Sequence, residues 1–571
     1  MPTIKINHSL LEYVQSKFNV MHDSNLIFDR LGLIGCSVEE SNDEFVEIEV
    51  FPDRPDMLSA ETLAHVIRPF LHERKSSPKL ETISGSVSMN VDSELKQIRP
   101  VIYAAIIKGV DIGTTNQEND DFIQGLMEHQ EKLHFSLGRG RSRASIGVHD
   151  YSALTPPFRV KCVDENYKFT PLAMNQEMSI KEILESHPKG IEYAHLLEGM
   201  DRYPVILDDE NKVLSFPPII NGDHTTVKEN TTDFFVDVTG WEKNSCEASL
   251  LLICLAFSAR GGVVETITIN DCSDNKITTP NGDPVEHFLP LDLLQDILGK
   301  DFDDETLSAA INKMGGEFTG RSVDSEGKVN LKIEMPRWRF DILHPIDLVE
   351  EVAIGHGYEN IGEDIPKSPM TGVPEKFVEY NRRIRESIQG QGFQQVQSLT
   401  LSNKKDEFDL MRWGHFGELS EISNPITVEH TILRQSILPS LMRLLAANKH
   451  HELPQRVYEL GTVVRSHLNS KRIGWLAAER GTGFSSSRGI IQSLLKDLGV
   501  TNEQVIEWIP TEGGPWLNGR GSKIVVDGTT IGEIGEIDPI VSSNYELRVP
   551  IHGGELDISC IISCIPDPVK N

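Results

Sequence analysis

Between residues 329 and 358 the sequence changes its period inside a single phrase, and that change dictates a strand, a break and a helix in that order. Val329 to Phe340 alternates apolar and polar side chains, as a half-buried strand does. His344-Pro345 interrupts it. Pro345 disfavours the helical region for His344 and can itself open a helix, and Asp347 with Glu350 gives the D-x-x-E order of a capping box. A helix is therefore expected to begin near 345 to 347. Four carboxylates meet at this junction: Asp347 and Glu350 or Glu351 stand one turn apart, and Asp341 approaches from the strand side. Such oxygens suit magnesium, which takes few carboxylates and keeps waters or substrate phosphates in its shell. A helix cap and macrodipole favour the same acidic residues with no metal, so spacing alone leaves both readings open.

A chain of 571 residues is too long for one core, and about 150 residues per domain suggests roughly three to five domains. With 39% hydrophobic and 25% charged residues it reads as globular, and no apolar run approaches the roughly 20 residues that span a bilayer. No membrane partner is expected. The start, MPTIKINHSLLEYVQ, lacks the pattern of a secretory signal, so a cytoplasmic location is the expectation. Seven scattered cysteines without a C-x-x-C pair argue against both a disulfide framework and a zinc ribbon, and Cys560 and Cys564 are expected to be buried thiols. The net charge of −31 opposes a nucleic-acid partner unless local positive patches or another chain carry the contact, or the acidic surface reflects a salty cytoplasm.

Four modules are expected in chain order. Residues 1–85 hold a strand at Thr3 to Ile6, a helix through Leu10, Leu11, Val14 and Phe18, a strand at Phe45 to Phe51, an Asp53-Arg54-Pro55-Asp56 turn and a helix capped by Ser59. Residues 90–270 hold buried-strand runs at Val101 to Ile107, Ala144 to Val148 and Phe234 to Val238. Here the loop GRGRSR places Arg139, Arg141 and Arg143 in alternation, which suits either phosphate contact or plain solvation. SFPPIING and DVTG supply Ser215, Asn221, Asp237 and Thr239 beside prolines and glycines that would fix a rigid wall. His134 and the His149-Asp150 pair are possible contributors, but no nucleophilic triad is identifiable from spacing. Residues 275–365 carry helices at Leu291 to Leu298 and Glu305 to Met314 before the opening phrase. Residues 370–571 begin with a helix at Glu375 to Gln389, then a strand near Val396 to Leu401, then a core-facing stripe of Ile437, Leu438, Leu441, Leu444 and Leu445.

Taken together, the phrase MPRWRFDILHPIDLVEEVAIGHGY, the DRPD turn, QEKLH, GVHD, SFPPIING and DVTG resemble the archaeal and eukaryotic form of the phenylalanine–tRNA ligase beta chain, in the family's order over nearly the whole sequence. The resemblance implies an α+β multidomain fold. Its parts are an N-terminal assembly module, a mixed editing module, a small helix-and-strand, winged-helix-like module with the metal site, and a class II synthetase-like antiparallel sheet flanked by helices.

It further implies an alpha-chain partner in a two-alpha, two-beta assembly, tRNA as substrate, and ATP as a substrate of the complex. Magnesium shared with the alpha chain falls on Asp341, Asp347, Glu350 and Glu351, and editing of tyrosyl-tRNA on Ser215, Asn221, Asp237 and Thr239. Arg139, Arg141 and Arg143 are tRNA candidates. No adenylation residue is expected, because Arg456 stands three before Glu459, and side chains three apart on a strand face opposite ways. A non-catalytic assembly subunit with an inactive pocket and a free-standing trans-editing hydrolase are the alternatives.

Overall fold

The computed structural model describes residues 2–362 and 371–567, so the expected module boundary near 365 to 370 lies outside the described residues. The chain divides into two compact units, residues 1–365 and 366–571.

In the first unit a small sheet pairs Phe45–Val50 with Thr3–Asn7 and with Cys36–Ser41. Ser59 accepts the Thr62 N–H and starts the helix Ala60–His72. Arg54 and Asp56 form a buried two-pronged pair, so these two charges of the DRPD turn satisfy each other while Asp53 stays exposed. Among the described residues the large sheet runs Ile220–Asn221, Val213–Phe216, Tyr203–Leu207, Phe158–Val163, Ser88–Val91, Val263–Asn270, Val101–Lys108, Phe234–Gly240, Ala144–Asp150. Phe234–Gly240 is buried along its whole length between the two expected neighbours, as its unbroken apolar run requires. One continuous apolar cluster joins Leu11 and Leu63 through Ile107 and Leu251 to Trp338, so the expected first three modules share a core.

The junction at 335 to 345 departs from expectation in two places. The strand Val329–Met335 stops at Pro336, five residues early, because proline gives no ladder donor. The helix Pro345–His356 is capped by His344, whose side chain accepts the Ile346 N–H, while Asp347 reaches back as the third helical residue. Pro345 occupies the first helical position, which moves the cap one residue upstream of it.

In the second unit a long sheet runs Gln394–Gln395, Gln455–Arg465, Leu468–Ala478, Ile551–Asp557, Thr529–Ile537, Trp516–Val526, Ile506–Pro510, and is antiparallel apart from its first pair. Helices Lys376–Gly390 and Phe484–Asp497 cover one face through Ile384, Ile388 and Leu494, and Leu438–Ala447 covers the other through Leu441 and Leu445. The strand expected near 396 to 401 reduces to the short pieces Gln394–Gln395 and Leu401–Ser402. Cys560 and Cys564 are half-buried rather than buried.

Candidate functional site

A cavity of about 210 Å³ opens beside the edge of the large sheet in the first unit. Pro217, Pro218 and Ile219 form one wall, the helix Asn116–Phe135 contributes Gln130 and Glu131, and Gly147 and Asp237 lie at its floor. Asp237 is the charged residue in an otherwise uncharged strand, and its burial is met by His149, whose Nε2 lies 2.8 Å from Oδ1. His149 Nδ1 lies 2.8 Å from Thr225 Oγ1, and Thr225 donates to the Gly222 carbonyl.

The order threonine, histidine, aspartate is that of a nucleophile, base and orienter. Here Thr225 is 1% exposed and bonded on both sides, so the chain of contacts fixes Asp237 instead. Gly147 makes room for it: a Cβ there would stand 2.4 Å from Asp237 Oδ1 and 2.8 Å from His149 Nε2.

Ser215 and Asn221 also line the cavity, with Ser215 Oγ 3.4 Å from Asn221 Oδ1. Thr239 does not reach it. Two residues along the same strand face, its Oγ1 accepts from Arg99 Nε at 2.9 Å, and Arg99 also donates to Ser145 Oγ and to the Arg141 and Thr239 carbonyls. Burial pulls the Arg99 guanidinium down to about 10.

Of the three arginines in the basic loop, Arg141 turns inward. Its Nη1 donates to the Pro218 and Ile219 carbonyls, Nη2 to Glu131, and its plane lies 4.3 Å from the Tyr193 ring centre. Arg139 and Arg143 stay exposed. His134 accepts the Ile146 N–H on Nε2, which leaves Nδ1–H for Glu131. That bond, with Arg141, holds the Glu131 carboxyl down to about 2 against burial. Sequence reasoning missed Thr225, Gly147, Glu131 and Arg99; Gly147 and Glu131 sit in the phrases GVHD and QEKLH, which could have pointed to them, while Thr225 and Arg99 sit in no recognisable local pattern.

The four carboxylates of the opening phrase lie elsewhere in the same unit. Asp341 and Glu351 each take two prongs of Arg339, at 2.6–3.1 Å. Asp347 accepts the Leu343 and His344 N–H groups. Among the described residues no group of three or more histidine, cysteine or acidic side chains is arranged to hold a metal ion. As they stand, two of the four, Asp341 and Glu351, are occupied by Arg339. Glu350 differs. Partial burial, then the negative Glu351, Asp53 and Asp347, push its carboxyl up.

Comparison with known proteins places this arrangement. Residues 99–252 match the model described as B3/4 domain, residues 288–358 the tRNA synthetase B5 domain, and residues 361–558 the phenylalanyl tRNA synthetase beta chain CLM domain. The phenylalanine–tRNA ligase beta subunit of Archaeoglobus fulgidus is 38% identical over 542 residues, covering 94% of this chain and 95% of that one. The chain belongs to the phenylalanine–tRNA ligase beta-subunit family.

The beta subunit of Methanothrix thermoacetophila is 35% identical over 98% of this chain and the whole of its own. An N-terminal fragment of the Pyrococcus horikoshii beta subunit superposes with a TM-score of 0.57 at 31% identity, covering 62% of this chain and all of that fragment. The cavity thus lies in the part of this beta-subunit relative that matches the B3/4 model, and the Arg339 junction in the part that matches B5. No described helix is long and apolar enough to cross a membrane.

Proposed function

We propose that the chain works with an alpha subunit, in a two-alpha, two-beta cytoplasmic complex that attaches phenylalanine to its tRNA, and that its cavity hydrolyses tyrosine wrongly attached to that tRNA. The observation that carries the editing reading is the buried Asp237 carboxylate at the floor of a proline- and isoleucine-walled cavity. His149 takes one of its oxygens. A carboxylate has a second oxygen, which suits the phenol hydroxyl of tyrosine.

Phenylalanine entering the same cavity offers no hydroxyl and leaves a buried acceptor unpaired, which costs about 1–3 kcal/mol. Such a second site is needed because an apolar pocket rejects an added hydroxyl by only about 10². Ser215 and Asn221 on the opposing wall supply further polar groups, and Gln130 and Glu131 lie where a water could be held against the ester. Thr239 acts through Arg99, by positioning the strand end.

Adenylation and ATP binding belong to the alpha subunit in this reading. Support comes from the second unit, where Arg456 pairs with Glu479, and Glu459 with Arg434, so neither stands free for a nucleotide. A magnesium ion shared with the alpha subunit is proposed at Glu350 and Asp347, where the unbalanced negative charge supports a cation once the other chain adds oxygens.

The test is deacylation of tyrosyl-tRNA by the co-expressed complex. Asp237→Ala is expected to slow it by roughly 10²-fold or more while phenylalanine charging continues. An Asp237→Ala complex that clears tyrosyl-tRNA at the normal rate would refute the editing reading.

A further inference from the structure

Lys189 lines the mouth of the cavity without a fixed role there. It sits in the short helix Pro188–Tyr193, whose backbone is held tightly: the Lys189 N–H donates to His187 Nδ1, and the next residue, Gly190, packs so close to the Ile183 carbonyl that a Cβ would lie 1.7 Å from its oxygen. The side chain is held more weakly, its ammonium 5.5 Å from the Tyr193 ring centre. Its ammonium meets Glu192 at 3.1 Å, with 42% and 51% of the two side chains exposed. Such an exposed pair is weak and readily exchanged for another anion.

The cavity needs an anion-binding group, and the other cation on its wall is spent. Arg141 is tied to two carbonyls and to Glu131, with its Cζ 4.3 Å from the Tyr193 ring centre. The chain as a whole carries −31, so phosphate approaching the cavity is repelled unless a local cation receives it. Among the described residues lining the cavity, Lys189 is the cation that is itself solvent-exposed, at 42% of its side chain against 9% for Arg141.

We infer that Lys189 binds the phosphodiester next to the ester-bearing ribose when an aminoacyl-RNA 3′ end enters the cavity, exchanging Glu192 for phosphate. The inference rests on the editing reading for the identity of the substrate. The sequence of events follows from the geometry: the anchored backbone keeps the ammonium at the mouth, the flexible stem lets it follow the RNA, and Glu192 holds it in reserve when no RNA is present. Lys189 is a binding residue in this account and takes no part in the hydrolysis itself.

Two measurements on the full chain test it. The first is binding of a fluorescent acceptor-arm RNA hairpin with a CCA end, which needs no hydrolysis. Lys189→Ala is expected to weaken binding about tenfold and to make the slope of log affinity against log salt shallower by about 0.7, the share of one phosphate on a single strand. Lys189→Arg should bind as the natural chain does, and Glu192→Gln, which frees the ammonium, should bind severalfold more tightly, a gain that misfolding cannot imitate. The second is tyrosyl-tRNA hydrolysis, where Lys189→Ala should raise KM about tenfold and leave kcat within about twofold.

Equal hairpin binding by the natural chain, Lys189→Ala and Glu192→Gln overturns the inference, as does a fall in kcat with KM unchanged. Absence of hydrolysis by the natural chain refutes the editing reading instead, and hairpin binding still decides the role of Lys189.

Discussion

Replacing Arg339 by methionine is expected to destabilise the first unit by about 3–5 kcal/mol, the loss typical when one partner of a buried ion pair is removed. The size follows from the surroundings. Arg339 is 2% exposed in its side chain, Glu351 6% and Asp341 12%, and the guanidinium makes two-pronged contact with both. Burial opposes a charge on Arg339, but Glu351 and then Asp341 overcome it and hold the group protonated well beyond its ordinary range. Methionine fills much of the volume and carries no charge, so two carboxylates are left facing one another with Glu350 beside them.

Urea unfolding followed by tryptophan fluorescence reads the effect locally, because Trp338 is buried next to the site. The melting temperature should fall by about 4–7 °C for a unit of this size. Adding Asp341→Asn and Glu351→Gln to Arg339→Met should restore most of the loss, since removing the partners with the cation leaves no unpaired charge. A single-variant loss under about 1 kcal/mol, the value of an exposed pair, would refute the reasoning. So would a triple variant no more stable than the single one, which would assign the effect to packing.

Two further outcomes follow from buried groups. Gly147→Ala is expected to push Asp237 and His149 apart and to lower tyrosyl-tRNA hydrolysis at least tenfold with phenylalanine charging retained; normal editing by that variant would show the pair to be dispensable. Glu407 is fully buried and receives the Gln435 and Ser436 N–H groups, and burial raises its carboxyl to about 7 from 4.5. Because its folded value is the higher one, it stabilises the fold most below about pH 4.5, and that contribution, roughly 3 kcal/mol at most, is lost as pH rises through 7. Relative to Glu407→Gln, the natural chain should lose stability between pH 5 and 8 in denaturant titrations; parallel pH curves would rule this out.

The elements were legible in the sequence wherever a single period dominates. Phe234–Gly240, Val101–Lys108 and Ala144–Asp150 announced themselves as continuous apolar runs because each is covered on both faces. The stripe from Ile437 to Leu445 likewise revealed its buried face, apart from half-buried Leu444. What spacing could not show is which distant residue completes each polar group.

Asp237 stood out as a carboxylate in an apolar strand, but His149 lies 88 residues away and Thr225 pairs across 76. Thr239 looked equivalent to Asp237 until Arg99, 140 residues earlier, claimed its hydroxyl. In GRGRSR, Arg139, Gly140 and Arg141 all adopt positive φ, which curls the loop and sends Arg141 inward. Alternating letters gave no sign of that. Spacing brings the four carboxylates of the opening phrase together, but it does not show that Arg339 in the same phrase is the counter-ion of Asp341 and Glu351.

The capping of the helix Pro345–His356 by His344 and Asp347 has a consequence for the order of events in a cell. Its first turn is closed entirely by groups of the chain, with Arg339 neutralising two of the nearby acids. In small zinc domains folding and ion capture are one event, since the unbound chain has no fold to wait in. Here the scaffold is complete beforehand. On the proposed reading, an ion taken up at Glu350 records the arrival of a second chain, and a chelator added to the newly made polypeptide should delay assembly while leaving the helix intact.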